Sequence, residues 1–139
     1  MIRHSQGDYV NNLNLQFKMA IDGRSETDFK ALASKEGNQL VFNDPKGQKY
    51  RFQLAEEEVH LYRDGFEELD IVFQVAKKSN GTVKLEGLQF VMSVFTRKLS
   101  VSDKKLLLEY DLLDGSKTLS SHVLKLAWDK NDGRNKKND

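Results

Sequence analysis

The sequence predicts an all-β protein, an antiparallel meander that closes into a barrel of about eight to ten strands. Three observations lead to this prediction. Apolar and polar residues alternate with a period of two through most of the chain, which is typical of strands with one buried face. Turn signals such as Asp-Gly and Asp-Pro-Lys-Gly recur at short intervals, and no segment has a convincing helical pattern. A β-sandwich would use similar strands, but a serial meander favours a barrel because closure removes both exposed edges.

Composition indicates one soluble globular domain over residues 1–139, with 38% hydrophobic and 31% charged residues. We expect the barrel at about residues 13–128, a polar lead-in at 1–11 and a charged tail at 129–139. The chain has no cysteine, which excludes disulfides and favours a cytoplasmic location. No apolar run is long enough to span a membrane, and a net charge of +1 gives no electrostatic case for nucleic acid. We therefore expect neither a membrane nor a nucleic acid as partner.

The first strand is predicted over residues 13–22, where the alternation is strictest. Its odd positions are all apolar: Leu13, Leu15, Phe17, Met19 and Ile21. Asp22-Gly23 ends this strand, and a second strand is predicted over residues 25–35. Leu32 interrupts the alternation of the second strand, so we expect a bulge at that residue.

The most specific turn signal is Asp44-Pro45-Lys46-Gly47, in which proline and glycine suit a type I turn followed by a glycine bulge. A three-residue loop there places Phe42 opposite Tyr50 and Leu40 opposite Phe52. This register pairs apolar residues with each other, and a slip of one residue would destroy it.

Loops of the same length are expected at the other Gly-containing turns. These turns are Asp22-Gly23, Asp64-Gly65, Ser79-Asn80-Gly81 and Asp114-Gly115. In this register Val75 lies opposite Leu85, and Tyr110 shares a face with His122.

Residues 82–101 are too long for one ordinary strand. Their apolar positions change from odd to even across Gly87, so we expect a corner there within one bent strand. The chain then supplies about ten strands, an even number that lets the first and last strands meet antiparallel. The side chains expected inside are large, so a filled or narrow interior agrees with the sequence at least as well as an open one. They include Phe17, Met19, Phe29, Phe42, Tyr50, Phe52, Phe73, Phe90, Met92, Tyr110 and Trp128.

Two segments together resemble a known family. The run Val59-His60-Leu61-Tyr62-Arg63-Asp64-Gly65, followed by Leu106–Asp111 and the Asp114-Gly115 turn, is similar to the YwiB-like family. Arg63, Gly65 and Tyr110 are the most telling residues, and the resemblance covers the whole predicted barrel, roughly residues 13–128. It implies a calycin-like, lipocalin-like β-barrel of the kind found in Gram-positive bacteria. The family has no known function, so the resemblance implies no activity.

No residues form a convincing catalytic or metal-binding pattern, so the sequence favours a non-enzymatic protein without a cofactor. Ser121 and His122 are neighbours along a strand and point to opposite faces. Ser120 shares the face of His122 but is expected about 7 Å away, too far to exchange a proton. The three histidines are scattered and have no metal-ligand spacing.

Five residues are candidates for a ligand site in the interior or at the rim of the barrel: Arg63, Glu67, Tyr50, Tyr110 and His122. Counted along its strand, Arg63 faces the interior at the end of the strand, opposite Glu67 if the loop is Asp64-Gly65-Phe66. If the loop is Arg63-Asp64-Gly65, Arg63 lies in the turn, still near Glu67 or Glu68. We expect its guanidinium to close one end of the barrel by binding a carboxylate or main-chain carbonyls.

Two functions remain open. The first is a barrel that binds a small apolar or amphipathic molecule, an expectation that rests on the fold alone. The second is a structural or protein-interaction module with a filled interior. A cavity lined by the inward residues would favour the first function, and a solid core with a large exposed apolar patch would favour the second. In either case we expect a monomer or a homodimer.

Overall fold

The computed structural model describes residues 9–130, and the side chains of residues 12–130. Over these residues it consists of strands and turns without a helix, so the all-β prediction is confirmed and no described helix could cross a membrane. The strands are β1 (Tyr9–Ile21), β2 (Arg24–Glu36), β3 (Gln39–Asn43), β4 (Lys49–Leu54), β5 (Glu58–Asp64), β6 (Glu67–Gln74), β7 (Lys78–Leu85), β8 (Leu88–Val101), β9 (Lys105–Asp114) and β10 (Lys117–Lys130).

The two terminal strands are longer than predicted. β1 begins at Tyr9 because Tyr9 and Val10 still pair with the end of β2, beyond an irregularity where Asn12 has φ of 60°. β10 continues to Lys130, which lies opposite Leu13 of β1. Residues 1–8 of the predicted lead-in and 131–139 of the predicted tail lie outside the described residues.

Each strand pairs antiparallel with the strand before it, and β1 pairs antiparallel with β10, so the ten strands close into a barrel. The closure register runs from Leu13 opposite Lys130 to Ile21 opposite His122. The predicted closed meander is therefore confirmed, with ten strands. We call the end with the turns after β1, β3, β5, β7 and β9 the upper end, and the opposite end the lower end.

Large apolar side chains fill the interior. The rings of Phe17 and Phe29 stack with centroids 4.7 Å apart, and those of Phe42 and Tyr50 stack at 5.0 Å. Phe17 also meets Tyr50 edge-on at 5.5 Å, which joins the two stacks. Further side chains from around the barrel complete the buried core: Leu13, Leu15, Ala33, Leu40, Phe52, Leu54, Val59, Leu61, Ile71, Phe73, Val94, Leu106, Leu108, Tyr110, Leu124, Leu126 and Trp128.

The registers of the central hairpins agree with the sequence pattern. Phe42 lies opposite Tyr50 and Leu40 opposite Phe52 across the Asp44–Gly47 turn, as predicted. Asp44 Oδ1 accepts hydrogen bonds from the main-chain N–H of Lys46 and Gln48, both at 2.9 Å, which fixes this turn.

The first and last hairpins have shorter turns than predicted, but a register shift in each still pairs the inward residues as expected. Ile21 lies opposite Arg24, so Asp22-Gly23 is a two-residue turn instead of the predicted three-residue loop. A register shift after Met19 then restores the pairing of inward residues. In the β9–β10 hairpin a shift between Thr118 and Ser120 has the same effect, and it leaves Tyr110 opposite His122.

The predicted loop at Ser79-Asn80-Gly81 is wrong, because these residues belong to β7. Val75 does not face Leu85 but forms an isolated bridge with Thr96. Gly81 lies opposite Ile71, and a Cβ atom at Gly81 would come within 2.7 Å of Ile71 Cγ1. This glycine therefore makes room for a core side chain and does not form a turn.

Three further local predictions are wrong. Glu86-Gly87 is a tight hairpin turn with φ of 52° and 81°, not a corner within one strand, and it joins Leu85 directly to Leu88. Phe90 was expected inside but is exposed, because it lies on the part of β8 that extends past the barrel. Leu32 is in register opposite Asn14 and points outward, without a bulge.

Candidate ligand site at the upper end

One row of inward-facing residues crosses five neighbouring strands at the upper end. Cross-strand pairing joins Tyr50 to Arg63, Arg63 to Leu69, Leu69 to Val83, and Val83 to Phe90. Along this row the side chains change from buried at Tyr50, through half-buried, to 53% exposed at Phe90. The row therefore begins with a hydroxyl and a guanidinium inside the barrel and ends with an exposed apolar surface.

Arg63 is the charged centre of this row. Its side chain is 13% exposed, and it forms an ion pair with the carboxylate of Glu67. Arg63 Nε also donates to the Glu67 main-chain carbonyl at 3.3 Å, and its guanidinium carbon lies 5.8 Å from the centroid of the Tyr50 ring. The expected contact with a carboxylate and a carbonyl is therefore present. The expected register is wrong, because Arg63 lies opposite Leu69 and reaches along the sheet to Glu67.

Gln48 supports this ion pair and was missed in the sequence. It is buried, its Nε2 donates to Asp44 Oδ2 at 3.3 Å, and its Oε1 accepts from the Glu67 N–H at 3.3 Å. A Cβ atom at Gly65 would come within 2.7 Å of Gln48 Cγ, so only glycine leaves space for this amide. The alternation of inward residues in β4 extends back from Tyr50 to Gln48, and this signal could have identified it.

A second group of polar side chains lies across β8, β9 and β10. Thr96 is opposite Tyr110, and Tyr110 is opposite His122, with the two rings stacked at 4.8 Å. The Tyr110 hydroxyl contacts Met19 Sδ at 3.8 Å, and sulfur is a weak acceptor. Among the described residues, Thr96 Oγ1 and His122 Nδ1 are buried without a hydrogen-bond partner.

Ser120 and His122 are closer than strand spacing suggested. Ser120 Oγ lies 2.8 Å from His122 Nε2, because the imidazole extends along the strand towards Ser120. The expected separation of about 7 Å is therefore wrong for the side chains. A catalytic triad would need a carboxylate at Nδ1, and within residues 12–130 that nitrogen has no partner. The pair therefore lacks the third member of such a triad within these residues.

Burial controls the protonation of these groups. Desolvation raises the pKa of Tyr50, and the adjacent Arg63 guanidinium partly opposes this effect. Desolvation also raises the pKa of Tyr110, again against the positive charge of Arg63. The pKa of His122 is lowered because its cationic form is desolvated, although Asp22 and Asp111 act in the opposite direction. Both tyrosines therefore keep their protons at neutral pH and can donate hydrogen bonds.

The apolar end of the row belongs to a hairpin that extends past the rim. Most of the exposed large apolar side chains of the described chain lie on this hairpin or on the neighbouring β5–β6 turn: Phe66, Leu85, Leu88, Phe90 and Val91. Leu85, Leu88 and Phe90 lie on the face that continues the inside of the barrel, whereas Val91 lies on the outer face. We call Leu85, Leu88 and Phe90 the overhang.

A separate groove of about 800 Å³ runs across the outer faces of β1, β2 and β10. Its lining includes the exposed side chains of Asn14, Lys30, Leu32 and Lys105, and it contains none of the five predicted site residues. Within residues 9–130, no three acidic, histidine or cysteine side chains come together in a way that could hold a metal ion.

Of the five predicted site residues, the structure brings Tyr50, Arg63 and Glu67 together at the upper end, and it stacks Tyr110 on His122. A model of the family described as Domain of unknown function (DUF1934) matches residues 25–126. The chain belongs to this family. The crystal structure of the ywiB protein from Bacillus subtilis superposes with a TM-score of 0.67 over 89% of this chain and 94% of that chain. The resemblance to the YwiB-like family is therefore confirmed.

The relationships to DUF1934 and to the ywiB protein show the fold of this chain but not its function. The ywiB protein is 16% identical to this chain, a level at which the likeness shows the fold alone. The comparison with curated proteins gives no match.

Proposed function

We propose that this DUF1934 protein is a non-enzymatic barrel that binds a small amphipathic molecule at its upper end. The observation that carries the proposal is the row from Tyr50 and Arg63 to Phe90, in which a charged, hydrogen-bonding group continues into an exposed apolar surface on one face. Ligand sites in proteins commonly combine a mostly apolar surface with a few polar groups that fix orientation.

Arg63 would bind the polar part of the ligand. Glu67 occupies its Nε and one terminal nitrogen, which leaves further N–H groups of the five that a guanidinium carries. The Glu67 side chain is 36% exposed, so its carboxylate can turn towards water when an anionic group takes its place. A carboxylate or phosphate suits the planar guanidinium, because both accept two parallel hydrogen bonds.

The overhang would bind the apolar part. Leu88 is 63% exposed and Phe90 is 53% exposed, although both lie on the face that is buried further along β8. Covering these side chains would release water from their apolar surface, with a gain of roughly 1 kcal/mol for each half-exposed residue. Stacked aromatic rings fill the barrel below, which supports a ligand at the rim in preference to one deep inside.

The test uses 1-anilinonaphthalene-8-sulfonate, an amphipathic anion whose fluorescence rises in apolar surroundings. Phe90→Thr should weaken its binding about fivefold, because the roughly 1 kcal/mol gained by covering the half-exposed ring is lost. Val91→Thr is the matched control, since Val91 is the next residue, is 68% exposed and lies on the other face. If the two variants lose equal amounts of probe binding, the ligand site does not lie on the overhang.

A second pair of variants tests the polar part. Arg63→Gln should weaken binding of the same probe, whereas Arg51→Gln should leave it unchanged. Arg51 lies on the outer face of β4 with its guanidinium over Tyr62, so it matches Arg63 in chemistry but not in position. Native mass spectrometry of freshly purified protein should also reveal a bound small molecule.

The alternative function is a protein-interaction module with a filled interior. The exposed apolar side chains of the β7–β8 hairpin favour it as well, because surface patches of this kind mark interaction sites. This alternative would be favoured if the purified protein carried no small molecule and did not bind the probe. In both cases we expect a cytoplasmic protein, because the chain has no cysteine.

A further inference from the structure

The β7–β8 hairpin has a free edge. β8 pairs with β7 from Leu88 to Phe95, but its pairing with β9 begins only at Ser93, opposite Leu113, because β9 ends at Asp114. Residues 88–92 therefore have a neighbouring strand on one side only, within the described part of the chain. The main-chain groups on the open side are available for another strand.

This edge lacks the features that keep natural edge strands apart. Lysine, proline, a bulge or an inward charge commonly blocks such edges. From Leu88 to Thr96 the sequence has no charged residue, no proline and no glycine. Its exposed members are Leu88, Gln89, Phe90 and Val91, of which three are apolar. An uncharged, apolar edge in a soluble chain indicates that a further strand covers it.

We propose that the edge at residues 88–92 pairs antiparallel with the same edge of a second copy of this chain. The uncharged segment can face itself across a twofold axis without repulsion, and twofold homodimers are the commonest oligomers. The faces of the sheet restrict the register, because antiparallel partners must be both inward or both outward. A twofold axis at Phe90 meets this condition and pairs all five edge residues.

In this arrangement Leu88 lies opposite Met92 of the second copy, and the two Phe90 side chains meet on the axis. The overhangs of both copies then form one continuous apolar face, while Gln89 and Val91 lie opposite each other on the outer face. The pairing uses the main chain of β8, and the proposed ligand uses the inward side chains. The dimer and the ligand site can therefore exist together and are measured by different experiments.

The test measures mass in solution by sedimentation velocity across low and high micromolar concentrations. We expect the parent protein to show a concentration-dependent dimer. Phe90→Lys and Phe90→Glu each place like charges on the axis, and each should raise the dimer dissociation constant by about tenfold or more. An equal mixture of the two variants should form the heterodimer, because the charges on the axis are then opposite.

The mixture separates a lost interface from a lost fold, since a misfolded variant would not regain a partner. Leu119→Lys is a matched control, because Leu119 is 59% exposed in β10, outside the edge at residues 88–92, and should not affect the dimer. A parent protein that stays monomeric at every concentration would overturn the proposal. So would a dimer that Phe90→Lys leaves intact, or variants that remain monomeric when mixed.

Discussion

Arg63 and Tyr50 face each other across β4 and β5 on the inside of the barrel, with the guanidinium carbon 5.8 Å from the ring centroid. The outer face of the same two strands carries the same pair of residue types: Arg51 faces Tyr62 with a corresponding distance of 5.7 Å. The inner pair also includes the carboxylate of Glu67. The two pairs share residue types and strands, so a comparison between them isolates the effect of position in the barrel.

The first prediction compares these arginines. Arg63→Gln should lower the free energy of unfolding by about 2 kcal/mol, because it removes a charged donor from a half-buried carboxylate and carbonyl. The loss should be smaller than for a fully buried pair, since Glu67 is partly open to water. Arg51→Gln should cost about 1 kcal/mol or less, as expected for a cation–π contact between two half-buried side chains.

Equilibrium unfolding in urea measures both variants beside the parent protein. Arg63→Lys adds a further check, because a lysine keeps the charge but cannot bind the carboxylate and the carbonyl with a planar fork. If Arg63→Gln and Arg51→Gln unfold at the same denaturant concentration as the parent, Arg63 does not close the upper end.

The second prediction concerns pH and His122. Burial lowers its pKa in the folded protein, so on acidification the unfolded chain takes up this proton first. The contribution of His122 to stability is complete above the unfolded pKa of about 6.5 and is lost as the pH falls below that value. The free energy of unfolding should therefore rise with pH through this window.

His122→Phe should remove this part of the pH dependence while keeping a ring against Tyr110. Urea unfolding of parent and variant at matched pH values gives the slope, and NMR titration of the imidazole gives the pKa of His122 itself. An imidazole that titrates above 6.5 in the folded protein would show that Asp22 and Asp111 outweigh its burial.

The barrel could be predicted because short stretches of sequence determine its strands and turns. Alternation of apolar residues identifies the buried face of each strand, and Asp44–Gly47 fixes a loop length, which together set the register of β3 and β4. The positions of Arg63 and Tyr50 on the inner face follow from the same alternation. Contacts of this kind need only strand parity and one well-specified turn.

The errors arise where a side chain from another strand decides the conformation. Gly81 looked like a turn residue, but it is a glycine because Ile71 of β6 packs over it. Glu86 adopts φ of 52°, which is uncommon for a residue with a Cβ atom, so the Glu86-Gly87 turn carried no strong signal. Gln48 is buried because Gly65 of a different hairpin leaves space for it. The contacts of Gly81 with Ile71 and of Gly65 with Gln48 join segments far apart in the chain, so neighbouring residues do not reveal them.

The third prediction tests the role of Gly81. Gly81→Ala places a methyl group within 2.7 Å of Ile71 Cγ1, which is buried and has little freedom to move. The variant should lose roughly 1–3 kcal/mol of unfolding free energy. Ile71→Ala should be destabilising alone, but the double variant should be more stable than the sum of the two losses predicts. Additive losses would mean that Ile71 is not what excludes a side chain at Gly81.

The last prediction concerns Thr96, whose fully buried hydroxyl has no hydrogen-bond partner among the described residues. A buried hydroxyl without a partner is destabilising, so Thr96→Val, which replaces the hydroxyl by a methyl group, should raise the free energy of unfolding by about 1 kcal/mol. Thr96→Ser is the matched control: it keeps the hydroxyl but removes a buried methyl group, and it should lower the free energy by a similar amount. In thermal and urea unfolding, Thr96→Val should be the most stable protein, the parent intermediate and Thr96→Ser the least stable. If Thr96→Val is instead less stable than the parent, the hydroxyl has a hydrogen-bond partner such as a buried water molecule, and the prediction is wrong.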